Sequence, residues 1–335
     1  MTDFEEELAA LLALDALEPD EQADGELHLG TFPPGFAEVS GALAGLVAAE
    51  PPPGLRAAML DRATDRRRGG RPVDAVPPCS PAEAFARTVA DLQRLLATLT
   101  DGEWNAPAHP EHGRVRDLVA HLVGIERLSL RWLQPDESLP TLSDHVAATR
   151  AVVAELAETD PWEVARIWHG AAQAVSAAAA SCPAQSVSFH DLQVSVPGLL
   201  VIRTFELWAH AMDISVATGR SLLRLDSARM TLMSGQLMTV LPDALAYRGG
   251  ALPGRSARFV LTGAAGGCYT VPLAPVAQAP SAPAGEPDFT LVADAIELCR
   301  LAARRLRPDE LAVTVEGDRE LAELVLADLD AFARD

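Results

Sequence analysis

The chain has 335 residues, of which 49% are hydrophobic, and carries a formal charge of −20. That length accommodates two or three domains with a sizeable core. The acidic balance argues against direct nucleic-acid binding, which needs a basic face, and no apolar run reaches the length that crosses a bilayer.

The opening Thr2-Asp-Phe-Glu-Glu-Glu7 is acidic and unlike a signal peptide, so a cytoplasmic protein without a membrane partner is expected. Residues 1–65 read as short helices, at about 5–17, 35–49 and 55–64, with Pro51-Pro-Pro53 as a breaker. The first 50 residues hold twelve acids and no Lys or Arg. Residues 66–79, beginning Arg66-Arg-Arg-Gly-Gly-Arg71 and turning Pro-rich, read as a linker.

Residues 80–247 carry helical periodicity. Ser80-Pro-Ala-Glu83 has the composition of a capping box, with Pro at the first helical position. Phe85, Val89, Leu92, Leu96 and Leu99 follow at 4-3-4-3 spacing. Further helices are expected at about 115–132, 143–180, 199–218 and 225–241. In residues 248–335 the period shortens. Strands at 258–262 and 268–271 flank the hairpin signal Gly263-Ala-Ala-Gly-Gly267. A Pro/Ala loop at 274–287 leads to a strand at 289–292, a helix at 294–305, a strand at 311–315 and a helix at 319–332. The expected fold is mainly α: a four-helix bundle, a small α+β C-terminal domain and a short helical N-terminal segment. Cys79, Cys182, Cys268 and Cys299 are scattered with no Cys-x-x-Cys pair, so each is expected to be a small buried residue.

The most informative stretch is Arg203-Thr-Phe-Glu-Leu-Trp-Ala-His-Ala-Met-Asp213. Glu206 and His210 are four residues apart and so share one helix face, where a carboxylate and an imidazole can hold one metal ion. An apolar stripe of Ile202, Phe205, Ala209, Met212 and Val216 borders them. A third ligand would complete a site with one open position, and His121, in Val115-Arg-Asp-Leu-Val-Ala-His-Leu122, is the candidate. Charged pairs at this spacing also decorate many ordinary helices. His109, His112, His145 and His169 have no comparable support.

These motifs, with Asp213-Ile-Ser-Val-Ala-Thr-Gly-Arg220, resemble the mycothiol-dependent maleylpyruvate isomerase branch of the DinB-like four-helix bundles, over residues 80 to 220. The resemblance implies that His121, Glu206 and His210 bind a divalent metal, with zinc the expected ion. It implies mycothiol as the thiol cofactor and a small electrophilic substrate attacked through a metal-bound thiolate. It also extends to the C-terminal domain, including Val315-Glu-Gly-Asp318, where an arginine holds the acidic substrate or thiol. Arg305 is the nearest match, with Arg304 standing where the family often shows Gly. Arg305 can equally be read as a cation at a helix C-terminus. Asp213 can orient a ligand or pair with Arg203 or Arg220. His190 precedes the fourth bundle helix and either borders the cleft or lies on the surface. The absence of lysine and the wealth of Ala, Arg, Gly and Pro fit a high-GC genome such as that of an actinobacterium.

The order Ala13-Leu-Asp-Ala-Leu-Glu-Pro-Asp-Glu21, Glu26-Leu-His-Leu29 and Glu38-Val39 resembles, over about 60 residues, the zinc-associated anti-sigma domain, whose His-x-x-x-Cys-x-x-Cys motif holds zinc. His28 is present here, but Phe32 and Gly35 replace the cysteines and offer no donors. This resemblance implies an alternative function, a regulator that grips a sigma factor through residues 1–65 while the bundle senses a thiol.

Overall fold

A computed structural model describes residues 79–134, 145–183, 185–189, 192–263, 265–278 and 285–329. The expected N-terminal helices, the anti-sigma-like segment, nearly all of the linker and His190 lie outside the described residues.

Helix α1, Pro81–Ala97, starts where Ser80 accepts a hydrogen bond from the Glu83 amide, with Pro81 in the first turn. The full capping box occurs one element later. The Thr100 hydroxyl accepts from the Glu103 amide while the Glu103 carboxylate accepts from the Thr100 amide, starting the one-turn α2, Asp101–Trp104. A short antiparallel hairpin follows, β1 (Pro107–His109) paired with β2 (Gly113–Arg114). It leads directly into α3, Val115–Leu133.

One long helix was expected over 143–180. Two occur instead, α4 (His145–Glu155) and α5 (Pro161–Ser181). The Asp160 side chain accepts from the Trp162 and Glu163 amides and Pro161 follows, a start signal strong enough to divide the alanine-rich run. A second hairpin, β3 (Ser186–Phe189) with β4 (Leu192–Ser195), delivers the chain to α6, Val196–Thr218. Helix α7, Ser227–Arg248, runs past its expected end with Pro242 inside it; Gly249, at φ 79°, closes it.

Helices α1, α3, α5 and α6 form the four-helix bundle, around Phe85, Leu92, Leu118, Leu122, Trp168 and Leu207. Helix α4 packs on the outside of α3, where Gly124 permits a close approach: a Cβ there would lie 2.9 Å from Thr149 Cγ2 and 3.0 Å from its Cα. Gly124→Ala should therefore destabilise the protein by about 1–3 kcal/mol through overpacking, offset by about 1 kcal/mol of helix propensity. A melting temperature equal to the parent's would show that the two helices can simply part.

The C-terminal sheet contains β5 (Ser256–Thr262), β6 (Gly267–Pro272), β7 (Phe289–Asp294) and β8 (Val313–Gly317), in the order β6-β5-β7-β8. The expected hairpin is the antiparallel β5–β6 pair, and β7 joins β5 in parallel. Helices α8 (Ala295–Ala302) and α9 (Arg319–Asp328) cover one sheet face with α7. Gly317 of the Val315-Glu-Gly-Asp318 turn has φ 93°, and a Cβ on it would lie 2.5 Å from the Asp288 carbonyl. The turn is therefore structural.

Helix α6 serves both cores. Leu199, Leu207, Ala211 and Ile214 face the bundle, while Val201, Phe205, Trp208, Ala209 and Met212 pack with α7, the sheet and α8. A helix covered all round is apolar all round, and so its few polar residues stand out. Val216 departs from its expected stripe: it is 73% exposed. Among the cysteines, Cys299 is buried as expected, its thiol pushed up to about 12 by burial, whereas Cys268 is exposed on the edge strand β6.

Arg220, just beyond α6, donates to Glu103 through Nε (3.0 Å) and Nη2 (2.8 Å) and to the Thr98 carbonyl. The hydrogen bonds from Arg220 and from Thr100 hold the Glu103 carboxyl at about 2, well below its usual range. With the folded value depressed, the latch stabilises the protein above the unfolded carboxyl value, about 4.3, and is lost as pH falls towards 2. Glu103→Gln should flatten acid unfolding in that window and leave its slope above pH 5 unchanged. An acid profile superimposable on the parent's would contradict this latch.

Candidate metal centre

Glu206 and His210 lie on successive turns of α6, and α3 brings His121 opposite them. Glu206 Oε1 is 3.6 Å from His121 Nε2 and 4.0 Å from His210 Nε2. Donors around a tetrahedral ion with bonds of about 2.0 Å stand about 3.3 Å apart, so a small closure of the side chains would suffice. Glu206 Oε1 and His210 Nε2 are buried and accept or donate no hydrogen bond. Leaving such atoms unsatisfied costs about 1–3 kcal/mol each. A divalent cation is the partner that their chemistry fits.

Each side chain is held from behind. Glu206 Oε2 is in contact with Arg203, so Oε1 is the oxygen turned to the histidines. Burial alone would raise the Glu206 carboxyl, but the Arg203 charge, with the His121 and His210 imidazoles close by, holds it well below the usual carboxylate range. Arg203 is fully buried and also meets Glu126 of α3, at 2.8 Å from Nη2 and 3.4 Å from Nε. Burial pushes the Glu126 carboxyl up, against the pull of Arg203.

His210 Nδ1 lies 3.0 Å from Asp213 Oδ2. A carboxylate only accepts, so this bond puts the proton on Nδ1 and leaves the Nε2 lone pair facing Glu206. Burial works to raise Asp213, but hydrogen bonds from His210 and Arg305 bring it down to about 2. The possible pairings of the sequence thus resolve: Asp213 takes His210 and Arg305, Arg203 takes Glu126 and Glu206, and Arg220 takes Glu103.

Arg305 reaches the centre through a helix ending. The Arg305 amide bonds the Arg300 carbonyl and the Arg304 amide bonds the Leu301 carbonyl, the paired closure that ends a helix at a left-handed residue. Arg304 is that residue, at φ 58°, a conformation glycine adopts most easily. The turn aims Arg305 at α6, where Nε is 3.0 Å from Asp213 Oδ1 and Nη1 meets the Ala303 carbonyl. Both alternatives for Arg305 are therefore present in one side chain, which touches the helix end and joins the centre.

The sequence reading passed over His112. This residue, in the turn between β1 and β2, stacks on His121 with ring centroids 3.8 Å apart, and His109 stacks behind it at 4.6 Å. Donor atoms of His112, His121 and His210 all lie within 4.8 Å of one another. Burial pushes the His112 imidazole down to about 2, with the neighbouring histidines adding to the effect, which keeps the ring neutral and one of its nitrogens available as a lone-pair donor. The available signal was the cluster His109-Pro-Glu-His112 immediately before the helix carrying His121.

Residues 85–215 match the family model described as mycothiol maleylpyruvate isomerase N-terminal domain. Two solved structures, a mycothiol-dependent maleylpyruvate isomerase and a point variant of it, are each 14% identical with TM-score 0.49, covering 70% of this chain and 91% of theirs. No curated protein matches the chain significantly. Among the described residues no helix is long and apolar enough to cross a membrane.

Proposed function

We propose that the chain is a metal- and mycothiol-dependent transferase or isomerase acting on a small electrophilic substrate. The observation that carries this reading is the convergence of His121, Glu206 and His210, with the Glu206 and His210 donor atoms buried and unsatisfied. His121, Glu206 and His210 would hold the ion, zinc being the expected one. A divalent ion there acts as a Lewis acid and favours the thiolate form of a thiol, the nucleophilic species. Asp213 fixes the His210 ring, and Arg203 fixes Glu206. Of the five guanidinium N–H groups, Arg305 directs three to Asp213 and the Ala303 carbonyl, and its Nη2 also lies 3.4 Å from His210 Nδ1. The second Nη1 N–H can donate to an acidic group of the thiol or substrate.

Calorimetric titration of mycothiol into the zinc-loaded protein tests the reading, followed by turnover of maleylpyruvate as the first electrophile. Binding with turnover supports an enzyme; absence of thiol binding removes mycothiol from the account. Arg305→Ala should weaken thiol binding by the loss of a charge-assisted hydrogen bond, worth about 1.5–3 kcal/mol, or roughly 10- to 150-fold. Unchanged affinity in that variant would remove Arg305 from the binding machinery. The regulator alternative depends on residues 1–65, outside the described residues, and no feature of the bundle favours it.

A further inference from the structure

We propose that His112 is a fourth and displaceable donor of the metal centre, closing the coordination position that an incoming thiol must take. The inference rests on the metal reading above. Its basis is geometric. The His112 Nε2 atom is buried without a hydrogen-bond partner, and a His112 donor atom lies within 4.8 Å of those of both His121 and His210. The ring is seated between two others, on His121 at 3.8 Å and under His109 at 4.6 Å.

His112 differs from the other three donors in its support. His121, Glu206 and His210 stand on α3 and α6, whose remaining side chains fill the cores, so none of the three can leave without disturbing a helix. His112 sits in the turn of a hairpin whose strands are three and two residues long, exposed at Pro107, Gly113 and Arg114 and half-buried at Ala108 and His109. That hairpin is fastened at its base by the Val115 amide to the Ala106 carbonyl (3.0 Å) and by Asp117, which accepts from the Arg114 amide (3.2 Å). Gly113, at φ 83°, supplies the turn next to His112. Segments with few buried contacts open at small cost compared with core helices. A centre with four protein donors is closed, and one with three accepts an outside ligand. In the exchange the bond from His112 breaks as the bond from the entering sulfur forms, and the thiol proton passes to bulk water.

The test uses cobalt(II) in place of the native ion, read by its visible absorption bands, in the full chain and in His112→Ala and His109→Ala. The parent should bind cobalt(II) with a spectrum indifferent to added free imidazole. His112→Ala should bind it about 10- to 100-fold more weakly, with shifted bands that free imidazole restores to the parental form. His109→Ala, which removes only the outer ring of the stack, should keep the parental bands. Identical spectra and affinities in the parent and His112→Ala overturn the proposal while leaving the three-residue centre intact. A parent that binds no cobalt(II) overturns the centre itself, and His112 with it.

Discussion

Replacing His210 with alanine should leave purified protein nearly free of metal, against about one equivalent in the parent. The expectation follows from how the donors are held. His210 supplies an imidazole whose proton is pinned on Nδ1 by Asp213 at 3.0 Å, and its Nε2 faces Glu206 Oε1 at 4.0 Å. Without it, His121 and Glu206 alone would leave the ion mostly to water, and affinity should fall by orders of magnitude. Asp213→Asn is the milder companion. It keeps the shape but removes the charge that orients the ring, a change of the kind that costs 10- to 100-fold in metal affinity. Elemental analysis after dialysis reads both variants. Equal metal in His210→Ala and the parent would place the ion elsewhere.

The largest stability effect should come from Glu126. Both members of the Glu126–Arg203 pair are fully buried, with a 2.8 Å hydrogen bond between them. Glu126→Ala takes the fully buried carboxylate away from this guanidinium, and removing one side of such a pair costs about 3–5 kcal/mol. For a cooperative unit of about 150–250 residues that corresponds to a fall in melting temperature of roughly 6–20 °C. Arg203 also orients Glu206, so metal content should fall together with stability. Replacing both Glu126 and Arg203 with methionine should recover part of the stability, because the fully buried pair is then removed as a unit while Glu206 loses its Arg203 contact, but not the metal. A Glu126→Ala protein that melts with the parent would mean that Arg203 finds water or another acceptor.

Much of this architecture can be read in the sequence because local signals and periodicity agree there. Ser80-Pro81 starts α1 and Ser195-Val196-Pro197 starts α6, each with an N-cap hydroxyl in place. The spacing of Glu206 and His210 is enough to put both on one face of α6. His121, by contrast, is linked to them only by a resemblance, since no spacing rule connects residues on different helices. Other features are illegible for stated physical reasons. Loop residues have no period, so only the closeness of the His109-Pro-Glu-His112 cluster to the helix start pointed from His112 to His121, although the hairpin folds one ring onto the other. The Glu126–Arg203 pair joins α3 to α6 across 77 positions, beyond any local rule. One helix was expected over 143–180, but the Asp160 cap and Pro161 start a second one. Val216 fits an apolar stripe by number but lies near the end of α6, beyond the reach of the second core.

Anomalous diffraction at the zinc edge, from crystals of the zinc-loaded full chain, tests the central claim most directly. The account predicts one strong peak at about 2.0–2.2 Å from His121 Nε2, His210 Nε2 and Glu206 Oε1. Zinc seated at any other group of residues, or side chains of His121, Glu206 and His210 left apart with no peak between them, would contradict it.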